Sequence, residues 1–181
     1  GNMIRVHITE EQIRYTQDLI ESCNFGNRGK FDGDMSKQLI GMLGQTVVAD
    51  YLGEPRPQVS HGFDGGYDFV INGKKVDLKC MGRKRNIQAD YVHNLIAYQK
   101  DYDVDYYLFA SVNYVEQVVE ICGVISKKDF YTYANYLREG AYRYCGRKRF
   151  QLQAPTYELA QGKLALLGGV YSERDIRRKI A

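Results

Sequence analysis

The sequence predicts an α/β fold built as a single domain, and three observations carry that expectation. The N-terminal third holds two helix-period segments with recognisable caps. The middle holds strand-period segments grouped about an Asn-Gly turn. No obvious linker divides the 181 residues, and one domain suits that length. Apolar residues make up 44% of the chain and charged residues 26%, enough to bury a core and too apolar for a disordered chain.

Taken in order, Met3–Ile8 alternates enough for a short strand. Thr9 then reads as an N-cap, with Glu10 and Glu11 in the first turn and Gln12 three residues on, a capping box at the positive end of a helix. Ile13, Ile20 and Cys23 supply its apolar stripe, and Gly26 ends it. The Gly-rich, polar stretch Asn24–Asp34 is a loop; Asp32 and Asp34 flank Gly33 there without the twelve-position spacing of an EF-hand. A second helix runs from about Ser36 to Leu52, with Leu39, Leu43, Val47 and Tyr51 four apart. Gly41 and Gly44 each cost it about 1 kcal/mol relative to Ala, a cost that close packing on a sheet would offset. Pro55 and Pro57 then break the pattern.

From Tyr67 the chain reads as strands. Tyr67–Ile71 and Lys74–Cys80 flank Asn72-Gly73, a strong hairpin signal. Asp90–Tyr98 is a candidate strand or extended arm, and Asp105–Asn113 and Gln117–Ile125 are two further strands. Ser126 and Asp129 start a helix that runs through Leu137. Gly140–Ala181 reads as a basic, Tyr-rich loop, a strand near Thr156–Leu159 and a short basic helix.

Composition excludes several classes. No apolar stretch approaches the ~20 residues of a membrane span, so no membrane partner is expected. Gly1 and Asn2, ahead of Met3, read as an appended scar, and no charged-then-apolar leader opens the chain, so secretion is not expected. Cys23, Cys80, Cys122 and Cys145 are scattered without a C-x-x-C pair, the pattern of reduced core thiols in a cytoplasmic protein. His7, His61 and His93 are isolated, and Gly65-Gly66 precedes a strand as a turn, not as a nucleotide-binding loop. The net charge is only +3, so any nucleic-acid affinity must come from local clusters.

The hairpin carries the chemistry. A two-residue turn at Asn72-Gly73 pairs Ile71 with Lys74, and pairing outward sets Val70 against Lys75, Phe69 against Val76 and Asp68 against Asp77. Lys79 shares the face of Asp77, while Tyr67, Phe69, Ile71, Val76, Leu78 and Cys80 form the core face. Opposed like charges destabilise a sheet unless something compensates, and a hard cation such as Mg²⁺ takes carboxylates together with water and substrate phosphate. The residues alone leave a second reading open, a surface hairpin whose Asp77 and Lys79 pair in solvent.

The run GGYDFVINGKKVDLKC resembles the core of the PD-(D/E)XK nuclease superfamily: an Asp, a hairpin, then Asp/Glu-x-Lys, here Asp68 and Asp77-Leu78-Lys79. The preceding GMLGQTVVADYLG resembles the family's G-x-x-G-E helix, and EICGVISKKDF resembles the strand-then-helix ending of small phage-type members. The resemblance covers about residues 36–139 and implies a restriction-endonuclease-like fold, a central mixed sheet flanked by helices. It implies further that Asp68 and Asp77 hold Mg²⁺ or Mn²⁺, that Lys79 serves the attacking water, and that Gln45 lines the site from the helix. Gln45 departs from the family, where many members carry Glu; Asp50, about 140° further around the helix, is poorly placed to replace it.

Arg83, Lys84 and Arg85 begin four residues after Lys79 and are the expected phosphate contacts on DNA. A second basic and aromatic group comprises Tyr142, Arg143, Tyr144, Arg147, Lys148 and Arg149; the C-terminal cluster of Arg174, Arg177, Arg178 and Lys179 reads as a solvated face. The expected activity is metal-dependent hydrolysis of DNA phosphodiesters. The alternative is a non-catalytic nucleic-acid-binding or interaction module with the same fold. The oligomeric state is left open, a homodimer included.

Overall fold

The computed structural model describes residues 2–23, 29–31, 35–58 and 67–181. Gly26, the loop residues Asp32–Asp34, His61 and Gly65-Gly66 lie outside the described residues. Strand β1, Ile4–His7, leads into helix α1, Glu10–Cys23. The capping box forms in both directions: the Gln12 N–H donates to Thr9 Oγ1 (3.1 Å) and the Thr9 N–H to Gln12 Oε1 (2.9 Å). The buried stripe is Gln12, Thr16, Leu19 and Ile20; Cys23, expected in it, is exposed in the last turn.

Helix α2, Lys37–Leu52, starts where Ser36 Oγ accepts the Leu39 N–H, and it stops at Gly53, whose φ of 68° is left-handed. It is buried on several sides, between α1 and a sheet. Close packing explains one of its two interior glycines. A Cβ on Gly44 would lie 2.4 Å from Cys80 Sγ, whereas a Cβ on Gly41 meets nothing within 4 Å.

That sheet has five strands in the order β1-β6-β5-β3-β2, with β2 Phe69–Ile71, β3 Lys74–Arg83, β5 Tyr106–Asn113 and β6 Val118–Ser126. Asn72 and Gly73 both have positive φ (51° and 75°), the signature of a type I′ turn, and the strand register is the expected one: Ile71 with Lys74, Val70 with Lys75, Phe69 with Val76. Strands β3 and β5 run parallel and the remaining pairs antiparallel, so the sheet is mixed and the class is α/β. Its two faces are both covered. Val76, Leu78, Leu108, Ala110, Val112 and Ile121 pack with α2 in one core cluster. Tyr107, Phe109, Cys122 and Ile125 belong to a second cluster with Leu95, Phe130, Leu159 and Leu164.

The second layer is built largely by the chain beyond Ser126. Helix α3, Lys127–Tyr133, is capped by Ser126 as expected, but it does not reach Leu137. Asn135–Leu137 forms strand β7 instead, pairing with β10, Thr156–Ala160, and Tyr136 lies opposite Tyr157 with ring centroids 5.2 Å apart. Pairing with a neighbouring strand and a cross-strand aromatic contact outweigh helix propagation there. Strand β4, Val92–Ile96, followed by a 3-10 helix at Ala97–Asp101, completes a sheet of order β4-β10-β7. The expected Tyr-rich loop is a hairpin of β8, Tyr142–Cys145, and β9, Lys148–Gln151.

Helices α4, Gln161–Gly168, and α5, Glu173–Lys179, close the chain; Ile176 and Ile180 of the last segment are fully buried. Arg177 there ion-pairs with Glu173 and Glu54, so part of the basic C-terminal cluster is internally paired. Among the described residues no helix is long and apolar enough to cross a membrane. Cys23 and Cys145 are exposed and only Cys80 and Cys122 lie in or against the core, which corrects the expectation of four core thiols.

Candidate active site

The hairpin brings Asp68, Asp77 and Lys79 together. Asp68 precedes β2, and its N–H donates to the Val76 carbonyl (2.9 Å). Its Oδ2 accepts the Leu78 N–H (2.8 Å), which turns the carboxyl toward β3 and the Asp77 side chain. Asp77 sits in the middle of β3 with 6% of its surface exposed. Lys79 Nζ lies 3.1 Å from Asp77 Oδ2. A solvated surface pair is therefore not what the fold contains. Tyr67, expected on the core face, is exposed, with the Lys75 ammonium over its ring; it lies outside β2, which begins at Phe69.

Two carboxylates meeting in a buried place cannot both stay ionised. Burial first, and the Asp77 charge second, push Asp68 up to about 8, against the opposing pull of the Leu78 N–H. Asp77 is also raised by burial, and Lys79 opposes that rise. Asp68 therefore keeps its proton at neutral pH beside Asp77.

The floor of the site consists of residues that strand periodicity did not single out. Tyr107 is the register partner of Asp77 across the parallel β3–β5 ladder, and its hydroxyl meets that of Tyr131 at 3.0 Å. Both phenols are raised, mainly by burial and partly by the nearby Asp77 charge. Only the pairing of β3 with β5 would have revealed them.

The other expected residues are placed as follows. Cys80 and Gly82 meet α2, so Asp77 and Lys79 point to the opposite face of the sheet from that helix. Gln45 is half-buried on α2, about 100° around from Gly44 and on the flank turned away from the α1-facing Thr46 and Asp50. It makes no hydrogen bond to Asp68, Asp77 or Lys79 in the structure. Arg83 is committed to the fold: its guanidinium donates to the Val92 carbonyl (2.8 Å) and Ser111 Oγ (3.0 Å) and lies over the Tyr91 ring. Lys84 and Arg85 are exposed, roughly 15–20 Å along the chain from Lys79.

A cleft of about 670 Å³ opens beside Lys79, between the β3 edge and the β4–β10 sheet, lined also by Met81, His93, Phe109 and Phe150. His93 is buried and bonded to Gln161 Oε1 (2.7 Å), whose amide N–H₂ donates to the Cys122 carbonyl (3.2 Å). That orientation makes Nε2 the protonated nitrogen, and burial lowers the ring to about 4, so it is neutral.

The donor chemistry fits one hard cation. Two adjacent carboxyls, one of them protonated, offer the charge that a divalent ion would neutralise, and Mg²⁺ commonly takes one or two protein carboxylates. Among the described residues no group of three His, Cys, Asp or Glu side chains converges. Comparison of the chain with family models, with curated proteins and with solved structures finds no match.

Proposed function

We propose that the chain is a divalent-metal-dependent nuclease of the restriction-endonuclease-like fold that hydrolyses DNA phosphodiesters. The observation that carries this reading is the convergence of the Asp68 and Asp77 carboxyls, Asp77 buried and Asp68 partly so, with Lys79 on the same strand face, in the Asp–hairpin–Asp-x-Lys order of the PD-(D/E)XK nucleases. Asp68 and Asp77 would hold Mg²⁺ or Mn²⁺, which supplies a Lewis acid against a phosphodiester oxygen. The Leu78 N–H fixes Asp68 and Lys79 fixes Asp77, so neither carboxylate needs to reorganise when the Asp68 proton leaves. Lys79 is a quarter exposed and borders the cleft, so its ammonium can donate to the scissile phosphate or orient the attacking water. The sheet and the Tyr107–Tyr131 hydroxyl pair keep bulk water from the inner side. Lys84 and Arg85 are the exposed part of the expected phosphate-binding run, with Arg83 holding their turn in place.

A second reading, a nucleic-acid-binding module that keeps the fold, is favoured by one observation: no third carboxylate joins the pair among the described residues. Nicking of supercoiled plasmid in Mg²⁺ and Mn²⁺, with EDTA as control, separates the two. Wild type should nick, and Asp77→Ala and Lys79→Ala should each lower the rate at least about a hundredfold while the thermal melt is kept. Tight DNA binding with no cleavage of single-stranded, duplex or branched DNA would establish the second reading.

A further inference from the structure

The β8–β9 hairpin departs from the rest of the fold. Tyr142, Tyr144, Cys145 and all four residues of β9 are exposed, so this ribbon contributes almost nothing to the core. Its position is nonetheless fixed. The Arg143 guanidinium meets Glu158 of β10 at 2.6 Å, and the Gly140 N–H donates to the Leu152 carbonyl at its base (2.8 Å).

The register sorts its side chains. Tyr142 opposes Gln151 and Tyr144 opposes Arg149, so these four share one face; Arg143 opposes Phe150 on the other. The face with Arg143 and Phe150 turns inward, where Phe150 lines the cleft beside Lys79. The opposite face presents two rings, Tyr142 at 53% and Tyr144 at 67% exposure, with the Arg149 guanidinium 4.3 Å from the Tyr142 centroid. Residues 140–153 carry four cations and no carboxylate.

We propose that this ribbon is a stacking platform for single-stranded nucleic acid, delivering the strand to the cleft at Lys79. Its purpose rests on the nuclease reading above. Exposed aromatic rings interleaved with cations, and no acid, match a polyanion whose unpaired bases have free faces. A paired duplex hides those faces, so the ribbon selects single strands. Tyr142 and Tyr144 take bases, and Arg147, Lys148 and Arg149 take phosphates. Phe150, on the ribbon's inner face, lines the cleft together with Lys79, which places the ribbon beside the site.

The test is fluorescence anisotropy of the full chain with a labelled 20-nucleotide oligothymidine and with a duplex of the same length, in EDTA so that nothing is cleaved. Wild type should bind the single strand at least tenfold more tightly than the duplex. Tyr142→Ala/Tyr144→Ala should weaken single-strand binding roughly tenfold or more with little effect on the duplex, since each stacked base depends on its ring. Arg147→Ala/Lys148→Ala/Arg149→Ala should flatten the salt dependence by about two units, from three lost contacts at ~0.7 each. All five side chains are exposed, so a thermal melt within a degree or two of wild type confirms an intact fold. Unchanged single-strand affinity in the Tyr pair, or preference for duplex in wild type, overturns the platform. Cleavage that persists with unchanged binding would remove the platform and leave the nuclease. Ring-dependent binding without cleavage in any metal would remove the nuclease and leave the platform.

Discussion

Asp68 and His93 are perturbed in opposite senses, and together they set how the metal-free protein responds to pH. Asp68 is an acid raised from 3.8 to about 8, so between those values the folded chain keeps a proton that the unfolded chain has lost. Stability therefore falls as pH rises through that window. His93 is a base lowered from 6.5 to about 4, so below pH 6.5 the unfolded chain gains a proton that the folded chain refuses, and stability falls as pH drops. Between pH 6.5 and 8 the Asp68 effect acts without that opposition. Melts in EDTA should show Tm falling across this interval by about 2–6 °C, from a free-energy change on the order of 1–2 kcal/mol. Asp68→Asn should remove most of that slope. A flat wild-type profile, or a slope that survives in Asp68→Asn, would show that Asp68 does not hold that proton. At the same scale Arg83 differs from its exposed neighbours Lys84 and Arg85: its guanidinium is held by Tyr91 and Val92 a few residues on and by Ser111 of β5.

Elements with local causes were legible in the sequence. The Thr9–Gln12 box, the Ser126 cap and the Asn72-Gly73 turn each depend on residues within four positions, and all formed as expected. Strand β7 was missed because a tertiary partner decides it, the pairing with β10; the β8–β9 hairpin has a local cause, a turn at Gly146 with φ 62°, that the basic, Tyr-rich composition masked. Helix α2 offers the sharpest test at this scale, since its two glycines look alike in sequence. Gly44→Ala should destabilise by about 1–3 kcal/mol through overpacking against Cys80, and Cys80→Ala should recover part of that loss. Gly41→Ala should instead stabilise by up to about 1 kcal/mol, because open space surrounds it and the helix prefers Ala. Urea unfolding of the three variants checks both signs; equal effects at the two positions would contradict the contact with Cys80.

At the scale of the molecule, a mixed sheet covered on both faces holds the acid pair, and Lys79 beside the pair borders a cleft. The pair itself was legible, since a two-residue turn sets the hairpin register and Asp68, Asp77 and Lys79 follow from it. Its surroundings were not. The Tyr107–Tyr131 floor depends on a parallel pairing between strands more than twenty residues apart in sequence, and the cleft wall comes from residues 150–156. The nuclease reading turns on whether a cation can take the place of the Asp68 proton, and titration calorimetry asks that directly. Mn²⁺ titrated at pH 7 into wild type, in two buffers of different ionisation enthalpy, should bind at one site and release about one proton per ion. Both the binding and the proton release should disappear in Asp77→Asn. Mn²⁺ binding that persists in Asp77→Asn, or binding to wild type without proton release, would contradict a metal centre at Asp68 and Asp77.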